Sequence, residues 1–233
     1  TLIQGNYMKK RFLFKNQGTD DEVLVKALCY AVEVSSQSND KNIHLVFPQK
    51  SNFESTNLGK IIDQIFGVGS AKKLCKGESI RNLDFILSSK ISSNNSSGTI
   101  LAIYCTPTDM NKIDSISHAN SIIYVSWLLE EADIWESTWY NNGLNIVHGE
   151  PSQQIEILPE EITSALKRLT STVNLSTGLA HPSDQQHAQR IFKELQEKGC
   201  KADEQAVANW AIANGWNARH LGDLKKLTKR YLS

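Results

Sequence analysis

Polar side chains follow several of the short apolar runs in the sequence, and their types suit the binding of an anion. Helices that begin near Thr19 and Thr106 would each point free backbone N–H groups at such a ligand, and Lys50 would add a positive charge. The candidate ligand-binding residues are Asn16, Gly18, Thr19, Lys50, Thr106 and Asp109. The same residue types also end strands and cap helices in most proteins. The sequence therefore leaves two interpretations open, an anionic small molecule and an ordinary set of turns.

A second candidate site lies near the C-terminus, where the residue pattern is typical of a helix-turn-helix motif. Ala211, Gly215 and Trp216 match the small packing residue, the turn glycine and the first apolar residue after the turn. Residues 203–232 would then form a helix-turn-helix-like pair of helices. Its second helix carries the candidate nucleic-acid-binding residues Arg219, His220, Lys225 and Lys226.

Three residues fit the helix-turn-helix motif less well. Asn214 occupies a position where an apolar residue is usual, and Gly222 and Asp223 fall near the middle of the second predicted helix. A helix end at Asn214 that joins two helices of a plain bundle explains the pattern as well. Nucleic acid and protein therefore both stay open as partners of this segment.

The charges of the chain balance overall but not along its length. The 25 Lys and Arg residues match 25 Asp and Glu residues, which disfavours a protein that coats nucleic acid with its whole surface. Residues 181–233 hold nine Lys and Arg against six Asp and Glu, so this segment is net +3 and the rest is net −3. The nucleic-acid hypothesis is thus confined to the C-terminal segment.

The sequence contains no familiar catalytic or cofactor motif. It has no G-x-G-x-x-G, no P-loop, no G-x-S-x-G and no C-x-x-C, and its four cysteines are far apart. Glu130 and Asp133 share one face of a predicted helix, but two carboxylates without a third ligand are more typical of a solvated surface. We therefore expect no metal and no cofactor, and we assign no catalytic residue. Whether the protein is an enzyme stays open.

Apolar runs of strand length alternate with helical patterns over the first two thirds of the chain. The predicted strands are residues 12–14, 43–47, 83–87, 100–105, 122–125 and 144–147. This alternation predicts an α/β domain at residues 8–158 with a Rossmann-like, largely parallel open sheet. The Ser- and Asn-rich residues 88–98 predict a hairpin insertion in that sheet. A small all-helical module follows at residues 159–233, with helices predicted at 160–173, 184–198, 203–213 and 218–232.

These expectations lead to two hypotheses about function. The leading one is a regulatory or binding protein whose α/β domain binds a partner or small ligand, while its basic C-terminal helices bind nucleic acid or protein. The alternative is an enzyme or sensor that acts on a phosphate-bearing ligand at the carboxyl ends of the strands, where open parallel sheets bind ligands. Because the sequence lacks a membrane-length apolar run and close cysteine pairs, we expect a cytoplasmic protein without a membrane partner.

Overall fold

The apolar runs of the sequence form the strands of one open sheet. The computed structural model describes residues 9–49, 51–94, 96–152 and 156–233. Within these residues the strands are β1 (Lys10–Phe14), β2 (Ile43–Phe47), β3 (Leu83–Leu87), β4 (Gly98–Ile103), β5 (Ala119–Val125) and β6 (Leu144–His148). They lie in the order β3-β2-β4-β5-β1-β6, and each neighbouring pair is parallel. The predicted α/β class with a largely parallel open sheet is confirmed.

Helices cover both faces of this sheet. They are α1 (Asp21–Ser36), α2 (Asn57–Phe66), α3 (Ser70–Cys75), α4 (Pro107–Asp114) and α5 (Leu129–Trp139). Val23 and Ala27 belong to an apolar stripe of α1 that packs, with α2 and α3, on one face. Successive strand residues point to opposite faces. On the other face Leu13 is buried, and the Tyr124 ring lies 5.4 Å from the ring of Trp135 in α5. Burial on both faces explains why the inner strands β1, β2, β4 and β5 are apolar along most of their length, whereas β6 is less buried.

The predicted hairpin at residues 88–98 is wrong, because β3 and β4 do not pair with each other. Strand β2 lies between them and is parallel to both. The Ser- and Asn-rich segment is instead a crossover from the end of β3 to the start of β4, and it opens with the 3-10 turn Ser88–Lys90. A parallel pair requires a connection that returns along the sheet, which a hairpin cannot provide.

The described chain forms two compact units. The first, the sheet unit, extends through Glu136 and takes in Gly143–Pro151, and the second, the helical unit, consists of Ser137–Asn142 and Ser152–Ser233. The helical unit contains α6 (Glu160–Thr170), α7 (Pro182–Glu197), α8 (Glu204–Ala213) and α9 (Gly222–Tyr231). Its core includes Ile162, Phe192, Ala208 and Leu224, one from each helix. The C-terminal helices predicted from the sequence are confirmed.

The last helix begins later than predicted. Asn217 accepts a hydrogen bond from the Arg219 N–H at 3.0 Å, which closes a separate 3-10 turn over Ala218–His220. Helix α9 then begins at Gly222, a residue that is tolerated at a helix start but weakens a helix interior. Gly215, the predicted turn residue, has a φ of 91°.

Candidate functional site

The predicted site at the carboxyl ends of the strands begins with Asn16, which joins the ends of β1 and β5. Its amide Nδ2 donates to the carbonyl oxygens of Gly18 at 2.6 Å and Ser126 at 3.2 Å. Its backbone N–H donates to the Ser126 hydroxyl, which in turn donates to the Asn16 carbonyl oxygen, each at 3.0 Å. The Gly18 N–H donates to the Trp127 carbonyl oxygen at 2.7 Å. Asn16 and Gly18 therefore form a fixed turn at this edge of the sheet.

Thr19 leads into helix α1, but the residue that caps this helix is Asp20. Its carboxylate accepts a hydrogen bond from the Val23 N–H at 3.1 Å. Asp21 and Glu22 follow in the first turn. These carboxylates already interact favourably with the positive end of the helix dipole. An anion that approached this helix end would face three negative side chains.

Thr106 caps helix α4, as the sequence predicts. Its hydroxyl oxygen accepts from the Asp109 N–H at 3.2 Å. The Asp109 carboxylate accepts hydrogen bonds from the hydroxyls of Ser88 and Thr106 at 3.0 and 3.1 Å, and it lies 3.1 Å from the Lys112 ammonium. Burial alone would raise the pKa of Asp109, but Lys112, Ser88 and Thr106 outweigh it and hold the pKa below its usual value. Asp109 therefore stays charged and is engaged by its own neighbours.

Sequence reasoning missed Lys15, a buried cation at this edge. The Lys15 ammonium lies 2.7 Å from the Asp133 carboxylate and 2.8 Å from that of Glu136, which is fully inaccessible to solvent. Burial by itself would lower the pKa of Lys15, but the hydrogen bonds that its ammonium donates to both carboxylates raise the pKa above its usual value. A lysine directly after a buried strand is the signal that was available in the sequence. Lys50, the cation that was predicted here, lies outside the described residues.

Tyr104 is the second residue that the sequence did not single out. It follows β4 with a φ of 57°, a conformation that non-glycine residues rarely adopt. Its ring contacts the ring of Trp127 with 4.8 Å between centroids, and burial raises the pKa of its hydroxyl. This hydroxyl is buried near the Asn16 side chain and the Asp20 backbone. Backbone strain of this kind occurs more often at ligand-binding sites than elsewhere.

The predicted nucleic-acid-binding residues lie on two adjacent elements of the helical unit. Arg219 and His220 are exposed on the 3-10 turn, and Lys225 and Lys226 lie on α9. Lys225 donates to the Gln205 side chain at 2.7 Å, and Lys226 lies 3.0 Å from the Asp223 carboxylate. These four side chains therefore lie within one short segment, residues 219–226, with two on the turn and two on α9.

Two further cations complete a basic face on α9. Lys229 and Arg230 are exposed in its last turn. At 3.6 residues per turn, the side chains of Lys225, Lys226, Lys229 and Arg230 project within an arc of about 140°. Leu224, Leu227 and Thr228 occupy the opposite side and are buried. We call these four residues the α9 basic face.

The part of the chain that the structure describes contains neither a metal-binding cluster nor a membrane-spanning helix. No three His, Cys, Asp or Glu side chains there come together as a group that could hold a metal ion. No helix there is both long enough and apolar enough to pass through a lipid bilayer.

Part of the helical unit resembles a known family model. No curated protein and no solved structure matches the chain. Residues 159–233, which carry α6 to α9, match the model of a family described as Domain of unknown function (DUF1889).

Proposed function

We propose that this chain is a cytoplasmic, non-catalytic binding protein whose residues 159–233 bind nucleic acid through the α9 basic face. The observation that carries the proposal is the grouping of four cations on one exposed side of a helix whose other side is buried. In this proposal the domain at residues 8–158 binds a partner or a small ligand. The cytoplasmic location is supported by four free cysteines, which suit a reducing compartment.

Rigid placement of the cations supports nucleic acid as the partner. Leu224 and Leu227 anchor the buried side of α9, so Lys225, Lys226, Lys229 and Arg230 project from a fixed helix and not from a flexible tail. Cations on one side of a helix can neutralise phosphates and position a protein on a nucleic acid. Arg219 and His220 precede the face on an exposed turn and extend it toward the helix start. The helix-turn-helix-like role of residues 203–232 belongs to this proposal.

The direct test is fluorescence anisotropy of labelled duplex and single-stranded oligonucleotides with the full chain. We expect binding that weakens steeply with salt, with a slope of about −0.9 in log affinity against log salt for each duplex phosphate neutralised. The variant Arg219→Glu with Lys226→Glu should weaken binding by at least about tenfold at low salt.

The matched control is Lys60→Glu with Lys72→Glu, which changes the net charge equally on exposed positions of α2 and α3. It should retain most of the affinity. Binding that is independent of salt, or equal in both double variants, would contradict the nucleic-acid proposal. If neither oligonucleotide binds, an acidic protein partner becomes the explanation of the basic face.

A second candidate function is a sensor or enzyme for a phosphate-bearing ligand at the carboxyl ends of the strands. Tyr104 favours a ligand site there, because its strained backbone and buried hydroxyl lie beside the exposed Trp127. Thr106, Asp109 and Lys50 would be the first positions to substitute. A panel of nucleotides tested by thermal shift should raise Tm, since a ligand at 100 times its Kd adds about 2.7 kcal/mol. An unchanged Tm across the panel would eliminate this candidate.

A further inference from the structure

A cavity lies at the amino edge of the sheet, the opposite edge from Asn16 and Thr106. It is bounded by the second half of α1, the end of α2 and the first residues of β2 and β3, Ile43 and Leu83. Its volume is about 160 Å³. An apolar protein cavity of about 150 Å³ is large enough to bind benzene. The space therefore fits one aromatic ring or a short hydrocarbon chain.

Apolar side chains form most of the cavity wall. The apolar lining residues are Leu28, Ala31, Val32, Ile43, Phe66, Ile80 and Leu83. Ala31 is fully buried and contributes only a methyl group, so the helix face recedes at this point. Val32 is half-exposed at the opening. A hydrocarbon group that entered would gain the free energy of leaving water without displacing a polar partner.

The polar lining residues are Ser35, Lys41, Arg81 and Asn82, so the charge that they carry is positive. Lys41 and Arg81 both line the cavity and are both exposed, whereas the described lining residues include no carboxylate. Lys41 donates to the carbonyl oxygen of Ser36. An anionic group at the opening would meet two positive charges, and a cationic group would be repelled.

The position of Arg81 is set by the backbone and by an aromatic ring. Ile80 and Leu83 exchange two backbone hydrogen bonds, at 2.9 and 3.0 Å, across a tight turn. Arg81 occupies this turn with a φ of 56°, and its guanidinium lies 5.7 Å from the centre of the Phe66 ring. Strained residues that the surrounding structure holds in place are typical of ligand clamps. Arg81 is therefore held at the opening while Phe66 forms part of the wall.

We propose that this cavity binds a small carboxylate with an apolar body, such as an aromatic or short-chain monocarboxylate. The apolar body occupies the cavity and the carboxylate lies at the opening between Lys41 and Arg81. This site is separate from the α9 basic face, so its test and the test of nucleic-acid binding can fail independently.

Titration calorimetry or NMR shifts of the full chain test the proposal with benzoate and hexanoate as probes. Benzyl alcohol and hexanol serve as neutral probes of similar size. We expect each carboxylate to bind at least about threefold more tightly than its alcohol, because exposed charge pairs contribute modestly. Equal affinity for the acid and the alcohol, or no binding of either, would overturn the proposal.

Substitutions at the opening test how much the two positive charges contribute to affinity, apart from the contribution of the apolar cavity. Lys41→Gln with Arg81→Gln should weaken benzoate about threefold to tenfold and leave benzyl alcohol unchanged. Lys72→Gln removes an exposed cation of α3 that does not line the cavity, and it should change neither affinity. Loss of benzoate affinity in Lys72→Gln equal to that in the double variant would overturn the role of the opening.

A substitution that fills the space tests the cavity itself. Ala31→Leu should abolish binding of both probes, and thermal unfolding will show whether this buried change is tolerated. Val32→Phe at the half-exposed opening provides a second variant that does not depend on repacking the core. It should reduce the affinity of both probes at least about tenfold. Unchanged binding in a folded Val32→Phe protein would place the probes elsewhere and overturn the proposal.

Discussion

The two units of this protein use their charged residues in opposite ways. In the sheet unit, Arg11 and Asp114 form a buried ion pair at 2.8 Å, and the Trp135 indole N–H donates to the same carboxylate at 2.7 Å. Lys15 and Glu136 form a second buried pair. In the helical unit, the buried polar residues of the described chain are Thr138, Asn209 and Thr228, none of them charged.

This difference indicates which charged residues stabilise the fold and which are available to bind a partner. A buried charge that loses its partner is strongly destabilising. Substitution of one member of a buried ion pair in the sheet unit therefore lowers stability. Exposed charges contribute little to stability, so the surface of the helical unit is free to carry charges for binding. The α9 basic face is therefore available for a partner in a way that Arg11 and Lys15 are not.

The largest expected effect comes from Asp114. Asp114→Ala removes the buried carboxylate that accepts from the Arg11 Nε–H and from the Trp135 indole N–H. We expect a loss of about 3–5 kcal/mol in the free energy of unfolding, measured by urea denaturation. The control is Glu22→Ala, which removes an exposed pair with Lys26 in α1 and should cost less than about 1 kcal/mol. Similar losses in the two variants would remove the distinction between buried and exposed charge.

A smaller effect is expected at His44, a buried imidazole in β2. Its Nδ1 lies 3.8 Å from the Asp84 carboxylate, which is longer than a hydrogen bond. Burial lowers the pKa of His44, although Asp84 and Asp40 oppose this shift. The unfolded chain therefore takes up a proton near pH 6.5 before the folded protein does, and stability falls as the pH drops through that value.

His44→Leu tests this burial. The variant should be more stable than the parent by about 1–3 kcal/mol, because it replaces a buried polar ring with an apolar side chain of similar size. The difference should grow between about pH 7 and pH 5, as followed by urea denaturation at each pH. A constant difference across that range would show that His44 does not titrate as its burial implies.

In the helical unit, backbone conformation is expected to matter more than charge. Gly215 has a φ of 91°, so Gly215→Ala should cost about 1–2 kcal/mol through strain. Gly222→Ala is the matched control, since a Cβ at Gly222 meets no atom within 4 Å and its φ is not in the left-handed region. The control should stabilise the protein by up to about 1 kcal/mol. Thermal unfolding that moves in the same direction for both variants would contradict this assignment.

The smallest effect on stability is expected from the α9 basic face. Lys225→Gln with Lys226→Gln removes one hydrogen bond to Gln205 and one exposed ion pair with Asp223. We expect a change of less than about 1 kcal/mol in the free energy of unfolding, alongside weaker oligonucleotide binding. A large loss of stability would show that these cations are structural, and the contrast between the two units would disappear.

Local features of this protein could be predicted from its sequence because local chemistry determines them. Continuous apolar runs predicted each strand that the described residues form, and Thr106 was predicted as a helix cap from its position before Pro107. The start of α9 was misplaced because the Asn217 side chain closes a separate turn. That capping interaction competes with helix formation over only two residues, and the apolar spacing does not reveal it.

Long-range features could not be predicted in the same way. The hairpin at residues 88–98 was inferred because two strands are close in sequence, yet β2 comes between them. Lys15 and Glu136 are 121 positions apart, and nothing in their local sequences indicates that they pair. The cavity lined by Ala31, Ile43 and Arg81 likewise depends on three separate segments. Such contacts follow from strand order, which the sequence alone did not determine.

The position of β1 in the sheet affects how the protein can fold during its synthesis on the ribosome. Strand β1 comes first among the described strands, but its neighbours are β5 and β6. Both of its edges can therefore be paired only after the residues up to His148 have been synthesised. Ribosomes add roughly 5–20 residues per second, which makes this delay on the order of ten seconds. During that time the three apolar residues of β1, Phe12, Leu13 and Phe14, lack their final partners. Until β6 has been synthesised, the nascent chain therefore carries an unpaired apolar strand, which is the kind of segment that can pair with another chain.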